Sequence, residues 1–201
     1  AGIAVFLIAL IALLPARVLG FLLPPEVATG TLTGSVWRGA TDALAVNGRA
    51  LGPLQWTVRP LHLLRGRLAL DATLGGGARE VRGRFAFGLG GAMQAWNVDL
   101  RWPVSALPVN AIPPGWNGDL QAVLREAVIE DGQVKALVGI VDARNLGKTV
   151  PEPVALGSYR LTFDEDSAQA GALTGKVQDM DGPLQVTGTL KLDTGRRFLL
   201  D

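Results

Sequence analysis

One histidine, His62, and no cysteine are available for acid–base, nucleophilic or metal chemistry among these 201 residues. Leucines flank His62, and no serine stands in the G-x-S-x-G arrangement of a nucleophile elbow. A chain without cysteine has no thiol nucleophile, disulfide or cysteine-based zinc site, and a single imidazole cannot build a site that needs two. The residue types therefore predict no catalytic residue, no metal site and no cofactor, and we expect His62 to be structural.

Three short motifs resemble parts of ligand sites without completing them. Gly147-Lys148-Thr149 resembles the end of a phosphate-binding loop, but Asp142 stands where that loop needs a glycine, and prolines follow where its helix should begin. The acidic runs 164–166 and 179–181 lack the longer ladder of oxygens that a calcium loop requires. We interpret both acidic runs as exposed hairpin tips.

Charge offers one weak candidate surface. Arg82 and Arg84 alternate along one predicted strand, so both would lie on the same face. A solvated strand face explains them, and contact with anionic lipid or an acidic partner is the alternative. The formal net charge is only +1, and the five tryptophans are not interleaved with basic residues. The sequence therefore predicts no nucleic-acid partner.

The N-terminal segment is apolar over the length of a membrane span. Residues 3–23 carry one charge, Arg17, and a helix of that length spans roughly 30 Å. A secretory signal and a buried core helix are the alternatives. The cleavage sequence is poor, however, and the segment has no polar face. We predict a transmembrane helix anchor over residues 1–23.

The remainder of the chain alternates between apolar and polar residues with period two, which is typical of half-buried antiparallel strands. The clearest runs are 54–58, 68–74, 81–87, 96–102 and 184–192. In the run 96–102, alternation places Trp96 and Trp102 on one face with Val98 and Leu100. Residues 120–128 fit a short helix by propensity, but we favour a strand there.

Turn formers such as Asn47-Gly48 and Asp131-Gly132 separate these runs. The predicted fold is therefore mainly β: an N-terminal transmembrane helix, then an antiparallel, curved β-sheet over residues 24–201. Half-barrel, sandwich and solenoid-like forms remain open. Similar segments at about 30–101 and 118–201 suggest two β-repeats, with repetition of generic hairpins as the alternative.

Two stretches resemble a known family, type II secretion system protein N. The first contains Gly34-Ser35-Val36-Trp37-Arg38-Gly39, then Leu54-Gln55-Trp56-Thr57-Val58-Arg59-Pro60-Leu61 and Gly66. The second is Pro153-Val154-Ala155-Leu156-Gly157-Ser158-Tyr159. Ser35 replaces a threonine of the family pattern and Val58 a leucine. The motif residues, which we interpret as structural, are Gly34, Trp37, Gly39, Trp56, Pro60, Gly66, Gly157 and Tyr159.

The resemblance implies a non-enzymatic accessory subunit of the type II secretion machinery in a Gram-negative bacterium. It would be a single-pass inner-membrane protein with most of its chain in the periplasm. Its β domain would dock on other secretion subunits, either those of the inner-membrane platform or those linked to the secretin. The family also resembles AsmA-like proteins, which implies an alternative: a β-groove that binds or handles phospholipid. The 18% charged fraction, below the soluble average of about 25%, favours an extensive apolar surface.

Overall fold

The described part of the protein is built almost entirely of β-strands. The structure is a computed structural model and describes residues 13–21, 23–88, 90–107, 115–130, 133–149, 153–169, 172–181, 186–193 and 198–200. Fourteen strands lie in these ranges: β1 Val27–Thr29, β2 Leu32–Gly34, β3 Arg38–Val46, β4 Arg49–Arg59, β5 Arg67–Gly76, β6 Arg79–Gly88, β7 Met93–Pro103, β8 Trp116–Glu130, β9 Gln133–Lys148, β10 Val154–Phe163, β11 Ala168–Gln169, β12 Ala172–Asp181, β13 Thr187–Asp193 and β14 Phe198–Leu200. Four short 3-10 helices join them: Ala16–Phe21, Pro60–Arg65, Val104–Ala106 and Glu165–Ser167.

The strands form one antiparallel sheet that curves but does not close. Its order is β1-β3-β4-β5-β6-β7-β8-β9-β10-β12-β13-β14, with β2 also paired to β3 and β11 to β12. Chain neighbours are mostly sheet neighbours, as in a meander. The predicted antiparallel β architecture is confirmed, and among the three forms left open the described strands make an open, curved sheet. The stretch 120–128 lies inside β8, so the strand prediction is confirmed there.

Turn chemistry explains where the strands reverse. Asn47 and Gly48 both have positive φ, 51° and 74°, which is the geometry of a two-residue hairpin turn between β3 and β4. The Asp131-Gly132 turn lies outside the described residues. The division into repeats at 30–101 and 118–201 stays a prediction.

A β-bulge corrects one face assignment. Asn97 adopts a left-handed backbone, φ 50°, and the β6–β7 register shifts between Arg82 and Arg84. Trp96 therefore pairs with Arg84, whereas Trp102 pairs with Leu120. The expectation that both tryptophans share a face was wrong, because the extra residue in the bulge inverts the alternation on its N-terminal side.

The segment predicted as a membrane anchor is described only in part. In that part, Ala16 of the first 3-10 helix is completely buried against Trp56 and Val58 of β4. Pro15 forms an isolated bridge with Ser35, and the Val36 N–H donates to the Leu14 carbonyl at 3.0 Å. Among the described residues, no helix is both long and apolar enough to cross a membrane. Residues 1–12 lie outside the described residues, and the anchor stays a prediction.

Candidate functional site

The first family motif forms a packed corner where the chain enters the sheet. The indole Nε1–H of Trp56 donates to the Val36 carbonyl at 2.9 Å, and Trp37 packs against the cluster around Trp56. Gly39 lies opposite Trp56 in the β3–β4 register, so the indole crosses over a residue without a side chain. Gly34 has φ +84°, a conformation that glycine adopts without strain. All four motif residues therefore lie together in this corner, and their structural role stays a prediction.

Pro60 and Gly66 bound the hairpin between β4 and β5. Pro60 opens the 3-10 helix Pro60–Arg65, where its fixed φ suits a first helical position. Gly66 ends the helix with φ 68°, and its N–H donates to the Leu63 carbonyl at 3.0 Å. Both residues fix the shape of an exposed turn.

The second family motif lies far from the first. Gly157 has φ +100° and sits in β10 at a register irregularity against β9. The Tyr159 hydroxyl donates to the Leu156 carbonyl at 2.6 Å, and this hydrogen bond stabilises the backbone at the same irregularity. Since β4 and β10 are six strands apart in the sheet, the two motifs lie about 29 Å apart measured along the sheet. The motif residues therefore do not converge on one site.

One face of the sheet is apolar across the ladder from β4 to β13, and we call it the apolar face. Cross-strand partners on it include Trp56 and Ala72, Val81 and Leu100, Trp102 and Leu120, Val141 and Leu161. Contacts between the described strands run almost wholly between sheet neighbours, and the 3-10 helices Ala16–Phe21 and Val104–Ala106 cover parts of this face near Trp56 and Trp102. In the described chain, no large side chain on this face is fully buried. The sequence signalled this face, but alternation alone cannot show whether a second layer covers it.

Some side chains on the apolar face are buried without a second sheet over them. Phe163 and Val177 are each less than 9% exposed, whereas Trp102, 4% exposed, lies beside the 3-10 helix Val104–Ala106 and donates its indole N–H to the Ala106 carbonyl. Side chains crowd one another in this way on the inner side of a curved sheet. The curved apolar face therefore forms an open trough lined by half-buried leucine, valine and phenylalanine side chains.

The opposite face, which we call the polar face, carries ion-pair networks. Asp71 accepts from Arg59 Nε at 2.7 Å and from Arg84 Nε at 3.1 Å, joining β4, β5 and β6. Burial raises the pKa of Asp71, but the hydrogen bonds and charges of both arginines outweigh it and hold that pKa below its usual value. Arg82 pairs with Glu80 at 2.6 Å. Arg82 and Arg84 thus lie on one face as predicted, each beside a carboxylate, and their contact with lipid or a partner stays a prediction.

A second network surrounds Asp142, which is 6% exposed. Arg160 donates to both of its carboxylate oxygens at 2.7 Å, and Arg144 Nη2 lies 3.2 Å from Oδ2. The Arg160 hydrogen bonds, followed by those of Arg144, hold the pKa of Asp142 below its usual value against the opposing effect of burial. Asp142 was noted in the sequence only as the residue that breaks a phosphate-loop pattern. In the fold it clamps β9 to β10.

The residues that could do chemistry stay apart. His62 lies in the Pro60–Arg65 turn, and its Nδ1 is buried without a hydrogen-bond partner. Lys148 ends strand β9, so no helix follows the Gly147-Lys148-Thr149 run in the described residues. The acidic run 164–166 is exposed, as expected, but Asp179 lies half-buried inside β12, so the interpretation of the run 179–181 as an exposed hairpin tip was wrong. No group of three or more potential metal ligands occurs within the described ranges.

Sequence reasoning missed an open depression of about 970 Å³ on the polar face. It forms beside the bulge at Asn97 in β7 and the register shift between Leu124 and Glu126 in β8, and Val123 lines it with its side chain exposed. Arg125 and Glu165 form an ion pair at its rim. Bulge positions depend on cross-strand register, which a single strand's alternation does not reveal.

The described strands define a mainly β protein, with one open antiparallel sheet whose apolar face has no second sheet over it and in which the two family motifs lie apart. A family model described as "Type II secretion system (T2SS), protein N" matches residues 25–201. The chain belongs to this protein family. Proteins of the family are accessory components of envelope-associated secretion machinery, and membership implies interaction with other type II secretion components. No curated protein and no solved structure matches the chain.

Proposed function

We propose that this protein is a non-enzymatic accessory subunit that docks its β domain on other type II secretion components at the inner membrane. The observation that carries the proposal is the family match over 25–201, which spans the strands of the described sheet. The predicted anchor, residues 1–23, would hold the domain at the periplasmic surface. The sheet ends at β1 and β14, and backbone groups at such edges pair readily with a partner strand.

Affinity purification of the tagged full chain from mildly solubilised native membranes tests this role. We expect other type II secretion subunits to co-purify. A matched control is the same chain with Gly39→Leu, which overfills the corner around Trp56 and should reduce recovery of subunits that bind the folded domain. Recovery of no secretion subunit with the unaltered chain would contradict the proposal.

A second function is favoured by the uncovered apolar face: binding of phospholipid acyl chains in the trough. An apolar surface of this extent is unfavourable in water, at about 25 cal/mol per Å². Acyl chains would cover it without requiring hydrogen-bond partners. This function does not exclude docking, since partners at the sheet edges leave the trough open.

Two adjacent residues of β8 provide a matched test of lipid binding. Leu124 lies on the apolar face opposite Val98, and Val123 lies on the polar face opposite Asp99. We expect lipid to co-purify with the wild-type chain and the Val123→Arg variant in native mass spectrometry, and to be lost from Leu124→Arg. Equal lipid in both variants, or none in the wild type, would contradict the second function.

A further inference from the structure

Exposed apolar side chains gather at one end of the sheet, where β4 ends, β5 begins and β6 ends. Leu61 and Leu63 in the Pro60–Arg65 turn are 76% and 41% exposed. Leu68 and Phe87 face one another across β5 and β6 and are also exposed. We call this set, Leu61, Leu63, Leu68 and Phe87, the apolar rim.

The chain segments around the apolar rim are basic and contain no acid. Residues 13–21, 36–40, 59–68 and 85–93 together include five arginines and neither Asp nor Glu. Arg59 is paired with Asp71, further along β5. Within the described residues, Arg17, Arg38 and Arg67 form no ion pair, and Arg67 donates to the amide oxygen of Gln94 instead. Glu130 of β8 lies at the same end and lines a small pocket with Arg67, so the five arginines of these segments outnumber the acid and leave a net positive charge beside the exposed leucines.

The apolar rim is continuous with the trough. Leu68 and Phe87 are paired on the apolar face. They form the next pair on this face after Leu70 and Phe85, towards the end of the sheet. A surface that contacts the rim therefore also meets the mouth of the trough. The first 3-10 helix reaches the same end, because its Ala16 packs on Val58 two residues before the turn begins.

We propose that the apolar rim and its arginines form a membrane-docking surface for a bilayer containing anionic lipid headgroups. The leucines and Phe87 enter the boundary between headgroups and acyl chains, and the arginines contact headgroup phosphates. The trough mouth then opens on the acyl-chain layer. Protruding apolar side chains flanked by cations fit a bilayer surface better than an acidic protein, because the four apolar side chains stand exposed on a turn and at strand ends instead of lining a cleft.

The proposal assigns an orientation to the membrane-associated domain and in that respect rests on the proposed function. The chain has no cysteine, so single cysteines report one site each. Leu61→Cys labels the apolar rim, and Ala78→Cys labels the exposed β5–β6 turn at the opposite end. Each full-length variant is labelled with an environment-sensitive fluorophore and reconstituted in vesicles of mixed anionic and zwitterionic phospholipid that carry a doxyl quencher on the acyl chain.

We expect the label at position 61 to shift to the blue and to be quenched at least about threefold more strongly than the label at position 78. Arg67→Glu should weaken quenching at position 61, whereas the same change at Arg79, at the opposite end, should not. Replacing anionic lipid by zwitterionic lipid should also weaken it.

Flotation of the vesicles separates this inference from the proposed anchor. If the chain floats but both labels remain equally exposed to water, the rim is not a docking surface and the anchor stands. If the chain does not float, both the anchor and the docking surface are contradicted. Blue shift at position 61 without quenching by the lipid label would indicate an acidic protein partner or self-association and would also overturn the proposal.

Discussion

Gly39 of β3 lies directly beneath the indole of Trp56 of β4, and a β-carbon at Gly39 would overlap Trp56 Cζ2. The same β-carbon would stand 2.8 Å from the Thr33 carbonyl oxygen and 2.9 Å from that of Ser35. Backbone on two sides and a buried ring on the third leave no room for a side chain. The family motif therefore encodes a packing contact.

Gly39→Ala should lower the free energy of unfolding by about 1–3 kcal/mol, because the indole or the β2–β3 backbone must shift. Chemical denaturation followed by tryptophan fluorescence measures this. Gly76→Ala is the control, since no atom lies within 4 Å of a β-carbon there. Equal stability of the two variants would show that the corner around Trp56 is loosely packed.

The two tryptophans of β7 should differ in their contribution to stability. Trp102 is 4% exposed and its indole N–H donates to the Ala106 carbonyl at 2.9 Å, so Trp102→Ala should cost about 3–5 kcal/mol. Trp96 is half-buried on the polar face, and Trp96→Ala should cost about 1 kcal/mol. If urea denaturation gives similar losses of unfolding free energy for Trp96→Ala and Trp102→Ala, the assigned bulge at Asn97 is contradicted.

Strand alternation indicated most of this sheet because each strand is half-buried, and burial on one face imposes period two. It failed at Trp96, since the bulge at Asn97 is fixed by pairing with β6. The motif around Gly34 and Trp37 could be found in the sequence, but its role required seeing Gly39 opposite Trp56. The trough was expected only as an alternative, a β-groove, because alternation does not distinguish a face covered by a second layer from one left open.

Asp142→Asn should destabilise the protein by about 1–3 kcal/mol at neutral pH, because two arginines lose a charged acceptor. Arg144 and Arg160 are about 40% exposed. Water therefore solvates their charges when the carboxylate is removed, and the loss of stability is smaller than for a fully buried ion pair. Thermal unfolding measures the change. Asp99→Asn is the matched control, since its pair with Arg101 is 3.9 Å long and more exposed. A neutral Asp142→Asn would show that the clamp between β9 and β10 adds no stability.

The stabilisation by Asp142 should depend on pH in a defined direction. Its pKa is lowered in the folded state, so its contribution is fully present above the unfolded pKa, about 4, and is lost as pH falls through the folded pKa. The difference in melting temperature between wild type and Asp142→Asn should therefore shrink below pH 4. Melting curves from pH 7 to pH 2 measure it, and a constant difference over that range would contradict the lowered pKa.

The role in type II secretion is tested most directly by the amount of folded substrate that cells export. Cells lacking this chain should export less, and the wild-type chain or Gly76→Ala should restore export. Gly39→Leu, which disrupts the motif corner, should not restore it at equal expression. Export that is unchanged by loss of the chain would contradict the proposed function.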